Sequence, residues 1–224
     1  MRKLGLLIPG LLFSLLLACG GGSSNPPAAT APAVPATGLT YTDPTGTGWR
    51  LVKDASSTAT RVVLNLVGPT GLMTRGAGFN LKAPASVKFG DFTETTFPIK
   101  DKGVYTLWNT NPYPYDGSVA VGSDPLEPRL LAGGVKAGNI LTVGIFQKDR
   151  RATAKDSGLP LCQIALEFDA TAALKKGDTL ALSITKAKHI PGDIGAFNGN
   201  PTLEMIQKSV MQDMTIAVGV LNAN

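Results

Sequence analysis

One histidine, two cysteines and scattered carboxylates are the groups in this chain best suited to chemistry. His189 stands in Lys188-His189-Ile190-Pro191, at the end of an alternating stretch. A Ser-His-Asp machine needs a histidine held by a carboxylate and facing a nucleophile. No Gly-x-Ser-x-Gly elbow supplies that serine. His189 is therefore expected as an exposed loop side chain. Ser183-Ile184-Thr185-Lys186 has the Ser-x-x-Lys spacing of serine acylases, which place both residues on one turn of a helix. In a strand the same spacing sends the two side chains to opposite faces. Zinc asks for three or four His, Cys or carboxylate ligands. One histidine and one spare cysteine do not fill that set, and no Asp-x-Asp-x-Asp-Gly calcium loop occurs. A glycosidase needs two facing carboxylates, and facing is not legible in a sequence. The chain is expected to be non-enzymatic, with no catalytic residue, metal or cofactor.

Recognition chemistry is better represented. Residues 105–117 (YTLWNTNPYPYDG) crowd Trp108, Tyr113 and Tyr115 together with Pro112 and Pro114. Aromatic faces beside polar groups stack on sugar rings or anchor a protein partner. They serve equally well to pin a long loop onto a fold, and both readings stand. Residues 147–158 mix both charges between two apolar runs, as a solvated hairpin tip or a polar recognition edge would. Cys162 shares its alternating face with Ile164, Leu166 and Phe168, which predicts a buried, inert thiol.

The N-terminus addresses the chain. Arg2 and Lys3 precede an apolar run over residues 4–18, the layout of a secretory signal peptide. The run is shorter than the ~20 residues that span a bilayer and is interrupted by Pro9 and Gly10. Leu16-Leu17-Ala18-Cys19 resembles the lipobox of bacterial lipoproteins. That resemblance implies diacylglyceryl attachment at Cys19, cleavage after Ala18 and acylation of the new amine. Several acyl chains hold a protein to a membrane where one does so only marginally. Gly20, not Asp, follows the cysteine, which resembles the pattern exported to the outer membrane. Residues 19–39 then read as a Gly/Ser/Pro/Ala-rich linker. About 20 residues of polyproline II reach at most ~60 Å.

Loss of Arg2 and Lys3 with the signal lowers the net charge from +5 to about +3. Nucleic-acid binding asks for clustered cations on one face, and none is expected here. Residues 40–224 suit one domain with a full core. If Cys19 is acylated, Cys162 has no partner for an internal disulfide.

From Tyr41 onward the hydrophobic period is two. Strands are expected at residues 49–53, 61–67, 77–82, 87–89, 92–97, 104–108, 140–147, 161–168, 179–185 and 214–220. Only residues 201–211 suggest a helix, with Leu203, Ile206 and Val210 at helical spacing. Nine or ten short strands without intervening helices predict an all-β, antiparallel, jelly-roll-like sandwich with at most one short helix near the C-terminus.

The second half carries a further resemblance. An apolar strand (ILTVGIF) leads to LCQIALEFD, then to AALKKGD, then to residues 179–185 and a closing apolar strand. This order resembles cohesin-type domains and the related carbohydrate-binding sandwiches, with Phe79-Asn80-Leu81 similar to their opening strands. It departs from them in a long insert over residues 91–135. The resemblance implies a non-catalytic module that binds a protein or polysaccharide. The competing readings are an accessory subunit of an envelope complex, pairing through an exposed edge at residues 215–221, and a glycan-active enzyme.

Overall fold

The computed structural model describes residues 32–92, 104–106, 130–147, 154–192 and 211–224. Two antiparallel sheets face each other across one hydrophobic cluster. The first takes β2 (Arg50–Lys53), β3 (Arg61–Val67), β10 (Cys162–Phe168) and β5 (Val87–Gly90) in that order, with β6 (Val104–Thr106) also paired to β10. The second takes β13 (Gln212–Asp213), β12 (Ser183–Pro191), β4 (Met73–Lys82), β8 (Ile140–Gln147) and β7 (Leu130–Ala137), with β9 (Lys155–Asp156) beside β4. A third, small sheet sets β14 (Val220–Ala223) between β1 (Leu39–Thr42) and β11 (Thr179–Leu180). The architecture is the expected all-β sandwich, and the described residues hold no helix.

Alternation builds the core. Val62, Leu64 and Leu66 of β3 meet Ile164 and Leu166 of β10 in register and face inward. Ala77, Phe79 and Leu81 of β4 pair with Ile145, Val143 and Leu141 of β8 and face them from the other sheet. Burying a large aliphatic side chain contributes about 1.5–3 kcal/mol, so these two strand pairs hold most of the sandwich together. Cys162 lies in this cluster fully buried, and burial pushes its thiol up to about 12. It is the inert core residue that the alternation predicts.

The boundaries differ from expectation in three places. The body begins before residue 40: the Lys176 N–H donates to the Val34 carbonyl, the Ala36 N–H donates to Leu174, and Leu39 opens β1. The closing strand is Val220–Ala223 and not residues 214–220, because Ile216 turns into the core and Ala217 bridges to Arg50 before pairing resumes. That strand is also no exposed edge. β1 pairs with it on one side (Leu39↔Ala223) and β11 on the other (Leu180↔Leu221), so its hydrogen-bonding groups are already used. β7 falls where the sequence reading placed an insert. Tyr41 locks the small sheet to the rest. Its buried hydroxyl donates to the Leu51 carbonyl at 2.9 Å and accepts from the Gly219 N–H at 2.6 Å. Burial raises this phenol to about 12. Gly219 has no alternative, since a Cβ there would run into the Thr42 carbonyl and the Tyr41 ring.

The helix expected over residues 201–211 lies outside the described residues except for Met211, whose backbone is irregular. The strand expected at 92–97 is described only at Phe92.

Candidate functional site

The outward face of the second sheet carries a groove of about 300 Å³, mainly apolar. Its floor follows from register. Gly78 of β4 stands opposite Gly144 of β8, and Gly144 stands opposite Gly133 of β7. Three glycines in one row leave the sheet surface without side chains across three strands. At ~4.8 Å between strands, that row runs roughly 10 Å across the sheet. A Cβ at Gly78 would meet only the Val143 carbonyl at 3.3 Å, so nothing beneath the floor demands glycine there. Asn80 and Thr142 face each other two residues to one side, and Ile190 and Met211 lie toward the other. At ~3.4 Å per residue, the two flanks are about 13 Å apart.

The third wall is β12, and its shape depends on a bulge. Thr185 pairs with Asn80 and Lys188 with Gly78, so three steps on β12 match two on β4. The extra residue is accommodated by Lys186, whose φ of 54° is left-handed and costly for any residue but glycine. The bulge puts Lys186 and Lys188 together on the exposed side, where both line the groove. Lys188 Nζ holds Asp213 Oδ1 at 2.6 Å across the neighbouring strand. Among the described residues Lys186 has no ion-pair partner.

The same bulge corrects the reading of His189. Ile184 faces inward, and an unbroken alternation would turn His189 out. One inserted residue reverses the phase, so Ala187 and His189 point in. His189 is 7% exposed, and its ring lies 5.5 Å from that of Trp49, tilted by 42°. Its Nδ1 is buried without a hydrogen-bond partner. Burial holds its pKa below the ordinary value, against a smaller opposing effect of Gln212. The bulge also leaves Ser183 and Lys186 both exposed, not on opposite faces. Neither sits on a helix, and they form no acylase arrangement.

The first sheet carries a different polar feature. Asp54 accepts from the Ser56 N–H at 2.8 Å, the Ser56 hydroxyl at 2.6 Å and Asn65 Nδ2 at 2.7 Å, which holds its carboxyl below the usual range. Asn65 Oδ1 is buried with no partner. The described part of the 147–158 loop is structural. Asp156 Oδ1 accepts N–H groups from Gly71 and Gly158, and the buried Ser157 donates its hydroxyl to the Pro69 carbonyl. Cys19, Trp108, Tyr113 and Tyr115 all lie outside the described residues. Among the described residues, no three His, Cys, Asp or Glu side chains gather where they could hold a metal ion. No described helix is long and apolar enough to cross a membrane.

Fold and groove together define a two-sheet antiparallel sandwich with a side-chain-free trough on one outer face. No protein-family model and no curated protein matches the chain. Among solved structures it is similar to a type II cohesin domain from the cellulosome of Acetivibrio cellulolyticus, at 13% identity and a TM-score of 0.42, covering 72% of this chain and 98% of that one. A second type II cohesin module, from an adaptor scaffoldin of the same organism, gives 10% identity and a TM-score of 0.46 over 84% of this chain and 98% of that one. A chain from a type II cohesin–X-dockerin complex of that organism gives 9% identity and a TM-score of 0.37 over 76% and 93%.

Proposed function

We propose that this chain is a lipid-anchored, non-catalytic protein of the bacterial envelope that binds a protein partner across the outer face of its second sheet. The observation that carries the reading is the glycine row Gly78–Gly144–Gly133 and the groove above it. Glycine weakens a strand interior, and its presence there often marks close approach of another backbone. Here three strands accept that weakness at one level of the sheet. A trough about 13 Å wide admits an α-helix, which measures ~10–12 Å across with its side chains, or a packed loop. Leu16-Leu17-Ala18-Cys19 supplies the anchor. Among the described residues, hydrogen bonding into the body starts at Val34, and the Gly/Ser/Pro/Ala-rich composition of residues 19–33 suits a tether. Extended at ~3.1 Å per residue, that tether reaches roughly 45 Å.

Two measurements test the two halves. In a bacterial host, radiolabelled palmitate should enter the parent chain and not Cys19→Ser, and the variant should leave the membrane fraction. Equal labelling of both would remove the anchor. For docking, a photo-crosslinking residue at Thr142 should trap one protein in intact cells, and one at Glu167 on the other sheet should not. Gly78→Leu should abolish the Thr142 adduct. An adduct that persists in Gly78→Leu, or forms only from Glu167, would sink the groove as the docking face.

A further inference from the structure

The groove is apolar on its floor and cationic along one wall. Lys186 and Lys188 line the groove, Lys82 stands at the end of β4, and Asp213 lies on the far side of β12. Lys82 is the exposed end of β4, opposite Ser183. Asp213 already occupies Lys188, but its side chain is 86% exposed, and such exposed pairs exchange readily with a carboxylate brought by a partner. Among the described residues Lys186 holds no such carboxylate, and the bulge aims it at the same groove. Asn80 and Thr142 on one flank are neutral, as are Ile190 and Met211 on the other. Among the described residues that line the groove itself, positive charge therefore comes only from Lys186 and Lys188 of β12.

Resting on the docking reading above, we propose that the groove selects an acidic segment of its protein partner. Small or apolar side chains of that segment lie over Gly78 and Gly144, and its Asp or Glu carboxylates meet Lys186 and Lys188. The lysines set which partner docks and how fast it arrives, because complementary charge steers encounter and penalises like charge. The glycine floor supplies the contact area. The two contributions come from different residues and separate by mutation.

The test is selection of a random peptide library, displayed on phage, against the full-length chain in detergent micelles. Enriched peptides should carry an excess of Asp and Glu. Their affinity should fall at least about tenfold on the double change Lys186→Glu with Lys188→Glu. It should also weaken between about 0.05 and about 0.5 M salt, as screening shortens the reach of the lysines. Lys186→Gly suits the left-handed backbone and removes only the cation, so its loss of affinity is free of misfolding. Gly78→Leu should abolish binding. Enrichment of neutral or basic peptides, or acidic peptides that bind the glutamate variant as well as the parent, overturns the charge proposal; if those peptides still depend on Gly78, the docking reading survives. No enrichment, or peptides indifferent to Gly78→Leu, removes the docking reading and this proposal together.

Discussion

His189 is a neutral imidazole kept among apolar neighbours, with Trp49 against its ring and Gln212 at its edge. Its register partner is Ala77 of β4. The consequence is a stability that depends on pH. In the unfolded chain the ring takes its proton at the ordinary value of about 6.5, and in the folded protein only at lower pH. Between those two values the unfolded state binds more protons, so stability falls as the pH drops below about 6.5 and levels off beneath the folded value. Above about pH 7.5 this residue adds no slope. Urea midpoints measured at about pH 7.5 and about pH 5.5 should diverge for the parent and converge for His189→Phe. A divergence of the same size in His189→Phe would assign the slope to other groups. Asp54 and Asp169 act in a separate, more acidic window. Both carboxyls are held below their ordinary value, Asp169 to about 2 by the Thr171 hydroxyl and Lys88, so their contribution is lost only as the pH falls through those depressed values.

Strands that obey a strict period of two were legible from sequence, and those that break it were not. β4, β8 and β10 alternate cleanly and were placed within a few residues. β7 was missed because Gly133-Gly134 interrupts its run, and glycine gives a strand no side chain to read. β1 and β13 are too short to show a period, and the single strand expected at 179–185 is divided between β11 and the start of β12. The bulge in β12 was invisible because a lysine, not a glycine, occupies the left-handed position, and this one residue also decided the wrong reading of His189. The groove was hidden for a related reason. Gly78, Gly144 and Gly133 look like three separate weaknesses until pairing aligns them in one row. The bulge carries its own prediction. A left-handed conformation costs a non-glycine residue about 1–2 kcal/mol, so Lys186→Gly should raise stability by roughly 1 kcal/mol, read as a higher denaturant midpoint at unchanged slope. A lower midpoint would mean that the lysine side chain contributes more than its backbone costs.

At the scale of the whole molecule, the proposed docking face and the closure of the body draw on different sheets. The groove belongs to the second sheet, where glycine has replaced packing side chains. Closure of the body belongs to the small third sheet. There β14 lies between β1 and β11, the Thr37 and Gly38 N–H groups donate to the Asn224 carbonyl, and the Tyr41 hydroxyl joins β2 to Gly219. Removing residues 220–224 should therefore unfold the domain and not merely fray it. Loss of the cooperative thermal transition is the expected result, and a truncated chain that keeps the parental transition would show that the third sheet is peripheral.

That placement of β14 has a consequence for how the protein is made. A ribosome delivers Leu39–Thr42 long before Val220–Ala223, yet these are the strands that pair. Throughout synthesis, β1 and later β11 wait with unsatisfied backbone edges, which are ready templates for pairing with other chains. Long-range pairings of this kind fold slowly, since the loop must close before any contact rewards it. A nascent chain of this design depends on being held unfolded until β14 has emerged, and its yield in a cell should respond to holdase capacity more than to the depth of its core.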